Sequence, residues 1–433
     1  MRPIDADTLT ALSGSRPADS WIVWAWRDGS LVVPEPLQIL SWSAQDDAKD
    51  NQKVQQRVSL TIADPDGSLG AWRFDDPLGV GGTWLQIIYK VGGARAINFA
   101  RMRITSNKPT EFVEWREVPE YGLEEPDSLT EPHMRMVPVV TAAVQLEAVD
   151  LTFNVDLDKL EDPESPESGA TVISEFQRLT RDYFPTVVDD GVEDVDISRL
   201  TIFEGERLEA AQDLATRVNA RYRMGGDGEC HLYPRALTPA QRFGPNEALI
   251  SVSREQVLSG LYNRWIVEGK DSTTGEPVRG VVSIETGPLR YGGPHGKSQF
   301  RYSSEMITTG SQARGYAVKL REKFLSSLAI ELSLETAPWP QGQGGDRIEV
   351  AVPVAAGHLA YFPGDVTSIR RSGSTVPGPT QITVQCSYAD VMAALGRTDW
   401  AQHLTGNLPP LTWDRMPGTW GSLPAIEWDD LPS

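Results

Sequence analysis

Residues 56–64 fix the character of the first third of this chain. Val58, Leu60 and Ile62 alternate with Ser59, Thr61 and Ala63, the period-two pattern of a strand with one buried face. The run stops at Asp64-Pro65-Asp66-Gly67, a strong turn sequence. The same grammar recurs on both sides. Trp21-Ile22-Val23-Trp24-Ala25-Trp26 ends at Arg27-Asp28-Gly29, and Leu31-Val32-Val33 follows. Residues 83–89 and 99–104 read as further strands, and 137–150 as the one that closes the unit. Between them, 117–136 is rich in Glu and Pro and reads as a long exposed loop. Many short strands punctuated by turn residues predict a barrel or a sandwich.

The middle of the chain changes period. Residues 156–169 are acidic and Pro-rich, the composition of a linker. Val172, Phe176, Leu179 and Tyr183 have helical spacing, with Pro185 as the stop. A second helix starts at Arg207, with Leu208, Ala211, Ala215, Val218 and Tyr222 on one face. It runs into a hairpin whose turn is Gly225-Gly226-Asp227-Gly228 and whose second strand starts at Cys230. Strands return at 248–252, 264–268 and 278–285. Ser311 is placed to cap a helix faced by Ala313, Tyr316, Ala317, Leu320 and Phe324. Strands over 328–334, 347–352, 365–369 and 381–386 complete the body, with a Gly-rich loop at 341–345.

The final residues repeat one phrase three times. Trp413, Met416 and Pro417 are followed by Trp420, Leu423 and Pro424, then by Trp428, Leu431 and Pro432. Proline at this frequency excludes a helix. Aromatic anchors on an extended segment are suited to docking in grooves on a partner, so these nine residues are the candidate partner-docking site. The organisation expected is 1–150, a β-domain; 151–245, an α+β insert with the acidic linker; 246–400, a second β-domain with one helix; and 401–433, the docking tail.

Charge narrows the function. The net charge is −20, and residues 150–213 carry eighteen carboxylates against five Lys or Arg. Such a surface argues against sequence-reading DNA binding and suits a conduit past which DNA moves without sticking. Cys230 and Cys386 are the two cysteines, too few for a disulfide framework and without metal-ligand spacing. The N-terminal residues have no signal-peptide core, and no run reaches the ~18 apolar residues of a membrane helix. Made in a reducing cytoplasm and inserted in no membrane is the expectation.

The motifs that could carry chemistry fail on spacing. Residues 292–298 approach a phosphate-binding loop, but Tyr291 stands where the first glycine belongs. Asp64 and Asp66 suggest a calcium loop, yet Gly67 is at position 4 rather than 6. The five histidines, at 133, 231, 295, 358 and 403, are scattered, and no nucleophile motif is present. A non-enzymatic chain with no cofactor and no metal is expected. Trp21, Trp24, Trp84 and Trp265 fall within strand patterns and are assigned to the core rather than to sugar platforms.

Several phrases in order resemble the tail-hub (baseplate hub or minor tail) proteins of long-tailed bacteriophages infecting high-GC Gram-positive hosts. They are residues 58–69 with 76–85, the helix at 208–215 running into 226–234, then 261–269, 302–308, 362–366 and the Trp-x-x-Leu-Pro ending. The resemblance implies a mainly β chain with an α+β insert, two tail-tube-like β-barrel domains and an extended Trp/Pro-rich tail. It also implies a homotrimer at the virion tail tip, made in the host cytoplasm. That ring would cap the sixfold tail tube and link tube proteins to tail-tip or fibre proteins. Its channel would pass the tape-measure protein and DNA without specific binding. The acidic stretch 117–132 departs from the family as an insertion. An extracellular carbohydrate-binding or carbohydrate-active β-protein, or a tail-tip receptor-binding protein, are the alternatives.

Overall fold

The alternation at 56–64 forms a strand that buries Gln56, Val58, Leu60, Ile62 and Asp64 and turns the residues between them outward. This comes from a computed structural model, which describes residues 1–2, 4, 6–13, 19–48, 53–92, 96–120, 133–235, 238–245, 247–255, 260–271, 274–355, 358–374 and 376–396. The chain opens with α1 (Ala6–Ser13), β1 (Ser20–Arg27), β2 (Ser30–Leu31), β3 (Ile39–Asp47), β4 (Gln56–Asp64) and β5 (Trp84–Lys90). Two long strands follow, β6 (Ala96–Glu120) and β7 (His133–Asp150). Next come α2 (Thr152–Leu157), α3 (Val172–Thr180), β8 (Thr186–Val188), α4 (Arg207–Arg217), β9 (Ala220–Met224) and β10 (Cys230–Pro234). Then come β11 (Gln241–Phe243), β12 (Leu249–Glu255), β13 (Arg264–Lys270), β14 (Pro277–Ser283), β15 (Gln299–Ser303) and α5 (Gly310–Ser327). The last are β16 (Ala329–Thr336), β17 (Arg347–Ala355), β18 (His358–Gly373), β19 (Pro377–Ser387) and α6 (Tyr388–Ala394).

The chain divides into two units: 1–252 with 333–348 and 365–384, and 253–332 with 349–364 and the described residues from 385. The first is built on a large sheet ordered β12-β16-β19-β18-β3-β4-β7-β6-β5-β1-β2, to which β12, β16, β18 and β19 contribute the parts that lie in this unit. Its core includes Val23, Leu60, Ile62, Leu85, Ile87, Met102, Val144 and Leu146. Mainly β with an α+β insert is therefore what folds. Among the described residues the closed barrels implied by the family resemblance are not formed. Among the described residues the ladder runs from β12 to β2 without closing, and β17, which pairs β11, branches from it at β18. The far edge of β1 is taken instead by its own following loop, with Val32 donating to the Ala25 carbonyl and Leu37 to that of Val23. Sequence periodicity reports strands but not whether the first and last of them meet.

The long loop expected at 117–136 is also corrected. Residues 117–120 and 133–136 are strand, paired as Glu117 with Met136 and Glu120 with His133 at the far end of the β6–β7 ladder. Glu and Pro content suggested a loop, but a two-strand ribbon tolerates both because its edges need not be paired. Residues 121–132 lie outside the described residues.

The insert has its own core, where Phe176, Leu179, Leu208, Ala211, Leu214 and Tyr222 pack with Leu160 and Cys230. Its sheet is ordered β8-β10-β9. Thr171 caps α3 with a full capping box to Ser174. The helix face drawn through Tyr222 is shorter than expected: α4 ends at Arg217, Asn219 takes φ +53°, and Ala220 begins β9. Asn tolerates that left-handed conformation, which ends a helix. Residues 156–169 are tied to this core, with Leu160 donating to the Gly205 carbonyl and Glu164 bridged to Phe203.

In the second unit α5 packs on the sheet β14-β13-β15. Trp265, Val267, Ile284, Ile307, Ala313 and Ala317 form the core between them. The N-cap of α5 is Thr309 rather than Ser311, because Gln312 reaches back to complete a capping box with Thr309. Gly280 permits the helix to lie close, since a Cβ there would stand 2.3 Å from the backbone of Ala313 and Arg314.

Candidate functional site

Strand alternation gives the large sheet one face that is apolar and one that is polar. The polar face presents Ser43 and Gln45 from β3, Arg57 and Ser59 from β4, Glu147 from β7, Arg370 and Ser372 from β18 and Gln381 from β19. These residues border an open cleft of about 1090 Å³ with Lys53 and Asp156 at its side. Hydroxyls, amides and charges of both signs are spread along the cleft. Val54, Val149, Phe153 and Pro379 line it as well, so the lining is mixed.

Lys53 gathers part of the acidic segment. Its ammonium lies 3.4 Å from Asp156, 3.3 Å from Glu206 and 3.9 Å from Glu209. Burial works against its charge, but Glu206 and Asp156 outweigh that and raise its pKa. Arg178 pairs with Glu164 and Glu175, and Arg207 with Asp158. So part of the acidity of 150–213 is spent inside the insert.

Behind the apolar face lies a second polar assembly. Residues 339–346 are buried throughout, so their backbone must find partners inside the protein. Two arginines supply them. Arg371 donates to the Trp339 carbonyl at 3.0 and 3.2 Å and to that of Gly342 at 2.7 Å. Arg2 donates to Pro340 at 3.1 Å, to Gly342 at 2.6 Å and to Phe99 at 2.8 Å. Both guanidinium groups lie over the Phe99 ring, at 4.0 Å and 5.2 Å. Burial lowers their pKa values, to about 10 for Arg2 and about 9 for Arg371, so both stay charged at neutral pH. Asp46 stands 3.8 Å from Arg2, and burial raises its pKa. Asp346 takes Arg223 at 2.8 Å and the Gln343 amide at 2.8 Å.

The motifs tested for chemistry resolve into structure. Gly292 and Gly296 form a turn, with Gly292 donating to the Gly296 carbonyl, and buried Asn263 pins it through Gly296 and Ser298. Asp64 accepts from the Leu69 and Gly70 amides, and Asp66 from Ser68, so these oxygens are engaged in building a turn. Asp227, Glu229 and His231 place ligand atoms within 4.8 Å of one another, and His231 also meets Asp189 at 3.0 Å. These are half-buried or exposed groups around a hairpin turn, and no other observation marks them as a metal centre. Cys230 and Cys386 are buried, and burial pushes the Cys230 thiol up.

Trp21 and Trp265 are buried, as expected; Trp24 and Trp84 are half-buried on the opposite face, where Trp84 stacks on Trp26 and under Arg101. The docking residues Trp413, Met416, Pro417, Trp420, Leu423, Pro424, Trp428, Leu431 and Pro432 lie outside the described residues. Sequence reasoning missed Arg2 and Arg371, because nothing local distinguishes buried Arg371 from exposed Arg370. It also missed Trp72 and Phe74, which are 87% and 78% exposed on the loop between β4 and β5. Among the described residues no helix is long and apolar enough to cross a membrane.

No protein-family model matches the sequence, and no curated protein matches it. Solved structures do share the fold. A tail protein from Neisseria meningitidis MC58 aligns over 86% of this chain and 98% of its own, at 12% identity and a TM-score of 0.51. The 43 kDa tail protein of prophage MuSo2 from Shewanella oneidensis aligns over 85% of this chain and 98% of its own, at 12% identity and a TM-score of 0.50. At these identities the likeness is one of fold: the chain shares the fold of these two tail proteins along nearly their whole length.

Proposed function

We propose that this chain is a structural tail-hub protein of a phage tail, acting through shape, symmetry and charge rather than catalysis. What supports the reading above all is the fold shared with two tail proteins over about 85% of the chain. The broad polar sheet face adds to it, since a wall past which protein and DNA move needs hydration and mixed charge more than a gripping pocket. In this reading three copies form a ring. The ring would cap the sixfold tube and line the channel for tape-measure protein and DNA. Distal tail-tip or fibre proteins are its partners, and the residues from Trp413 to Pro432 tether it to them. Its place is the virion tail tip, after synthesis in the host cytoplasm. The test is a reconstruction of the tail tip from virions that carry this chain. Density for three copies around the axis, directly beyond the tube, is the expected result. Its absence from the axial ring, or its presence only in peripheral fibres, would refute the assignment.

A further inference from the structure

We infer that the groove between α4 and the strap formed by residues 200–206 is a docking site for a cationic amphipathic helix of another protein. The inference goes beyond the hub reading and is tested on the purified chain, so either can fail while the other stands.

The strap is anchored on both sides. Ile197 and Phe203 are buried. Phe203 exchanges backbone hydrogen bonds with Glu164 at 2.8 and 3.0 Å, and the Gly205 carbonyl accepts from Leu160 at 2.8 Å. Between these anchors Thr201 donates to the Ser198 carbonyl and Leu200 to the Ser198 hydroxyl. The turn so made holds Leu200 and Ile202 outward, 90% and 58% exposed, and neither belongs to the insert's core. Apolar side chains fixed in this way lose little freedom on docking.

Beside them Ile202, Phe203 and Leu214 line a groove of about 610 Å³ along α4. Its rim is acidic, with Glu204 on the strap and Glu209 and Asp213 one turn apart on the helix. Glu206 is taken by Lys53 and Lys159. Glu204 and Asp213 have no ion-pair partner among the described residues, and Glu209 has Lys53 at 3.9 Å. These are carboxylates of 150–213 that the insert leaves uncompensated. Arg217, at the C-terminal end of α4, is the one cation of the lining. An apolar floor under an acidic rim complements a segment that carries Lys or Arg on either side of an apolar stripe.

A helix rather than a strand follows from the backbone. α4 is hydrogen-bonded within itself, and Phe203 of the strap is already bridged to Glu164, so an added strand would find no open ladder there. Recognition falls to side chains along the 11 residues of α4. These span roughly 16 Å at ~1.5 Å per residue, about three turns of a partner helix. The repeat at 413–432 is the wrong occupant, because Asp414, Glu427, Asp429 and Asp430 outnumber Arg415 and the rim would repel them.

The test uses the full chain and a fluorescein-labelled amphipathic model helix of leucine and lysine, followed by fluorescence anisotropy. A helix of the same pattern in leucine and glutamate controls for charge. The lysine helix is expected to bind with a Kd of roughly 10–100 µM, at least ~10-fold tighter than the glutamate helix. Leu200→Ser/Ile202→Ser and Glu209→Lys/Asp213→Lys should each weaken it at least ~10-fold with the far-UV spectrum unchanged. Asp190→Lys/Glu193→Lys, on the same acidic insert but outside the groove lining, should leave it as it was. Hydrogen exchange should show added protection within 200–217 when the lysine helix is bound. No binding by that helix, wild-type affinity in either groove variant, an equal loss in the Asp190/Glu193 variant, or protection only outside 200–217 would each overturn the site.

Discussion

Arg371 shows how much a single side chain can decide in this chain. It reaches from β18 to the carbonyls of Trp339 and Gly342, and its neighbour Arg370 is exposed on the polar face. Arg371→Met would take the arginine donor from the buried Trp339 carbonyl, while Gly342 keeps Arg2, and is expected to cost about 3 kcal/mol by urea unfolding, whereas Arg370→Met should change stability by less than ~0.5 kcal/mol. Equal effects would mean that the strand register is misassigned. Nearby, Tyr233 offers a pH signature. It is buried, and burial pushes its phenol up to about 12. The unfolded phenol ionises near 10 and the folded one near 12, so this group's contribution is complete below pH ~10 and is lost as pH rises toward 12. Wild type should therefore lose about 2–3 kcal/mol from this group across that window, and Tyr233→Phe should show a shallower alkaline decline in the same urea titration. Parallel declines would mean that the phenol is solvated in the native state.

At the scale of elements, packing is set by close approaches that small residues allow. On β14, Gly280 sits where a Cβ would meet the backbone of α5 at 2.3 Å. Neither backbone can yield that distance cheaply, so Gly280→Ala should destabilise the second unit by several kcal/mol, about the cost of a severe overpacking. Hydrogen exchange would read it as lost protection in α5 and β13–β15, with the insert unaffected; unchanged protection in α5 would contradict the packing. Thr309→Ala, which removes only the cap, should cost ~1 kcal/mol. Elements were legible in the sequence where a period ran unbroken, as in β4 and α3. Their ends were less so, because caps and left-handed residues compete locally: Thr309 prevailed over Ser311 through Gln312, and Asn219 stopped α4 before Tyr222. The ribbon at 110–120 escaped notice because its Glu and Pro content carries no core pattern.

For the whole molecule, sequence patterning anticipated a mainly β chain with an α+β insert, and the element order and sheets agree. It could not anticipate the open sheet, because closure depends on which edges meet, or the fate of the acidic segment, whose partners Lys53 and Arg178 are set by packing. The candidate site was the least legible part. Its polar face is assembled from five strands distant in sequence, and the docking repeat lies outside the described residues. That repeat yields the most direct assay. From Ala401 the tail could span roughly 110 Å at ~3.3 Å per residue, enough, in the proposed hub, to reach a neighbouring subunit or a tail protein beside it. Each tryptophan buried there would contribute about 2–3 kcal/mol before ordering costs, so three acting together would decide assembly while adding nothing to the fold of the body. Deleting residues 405–433, or replacing Trp413, Trp420 and Trp428 together with Ala, should leave the urea midpoint of the purified chain unchanged. The yield of complete tails in a complementation assay should fall at least tenfold, with single replacements intermediate. Full tail yield from the triple variant would remove the tether from the mechanism, and a lowered urea midpoint would show instead that the segment packs on its own body.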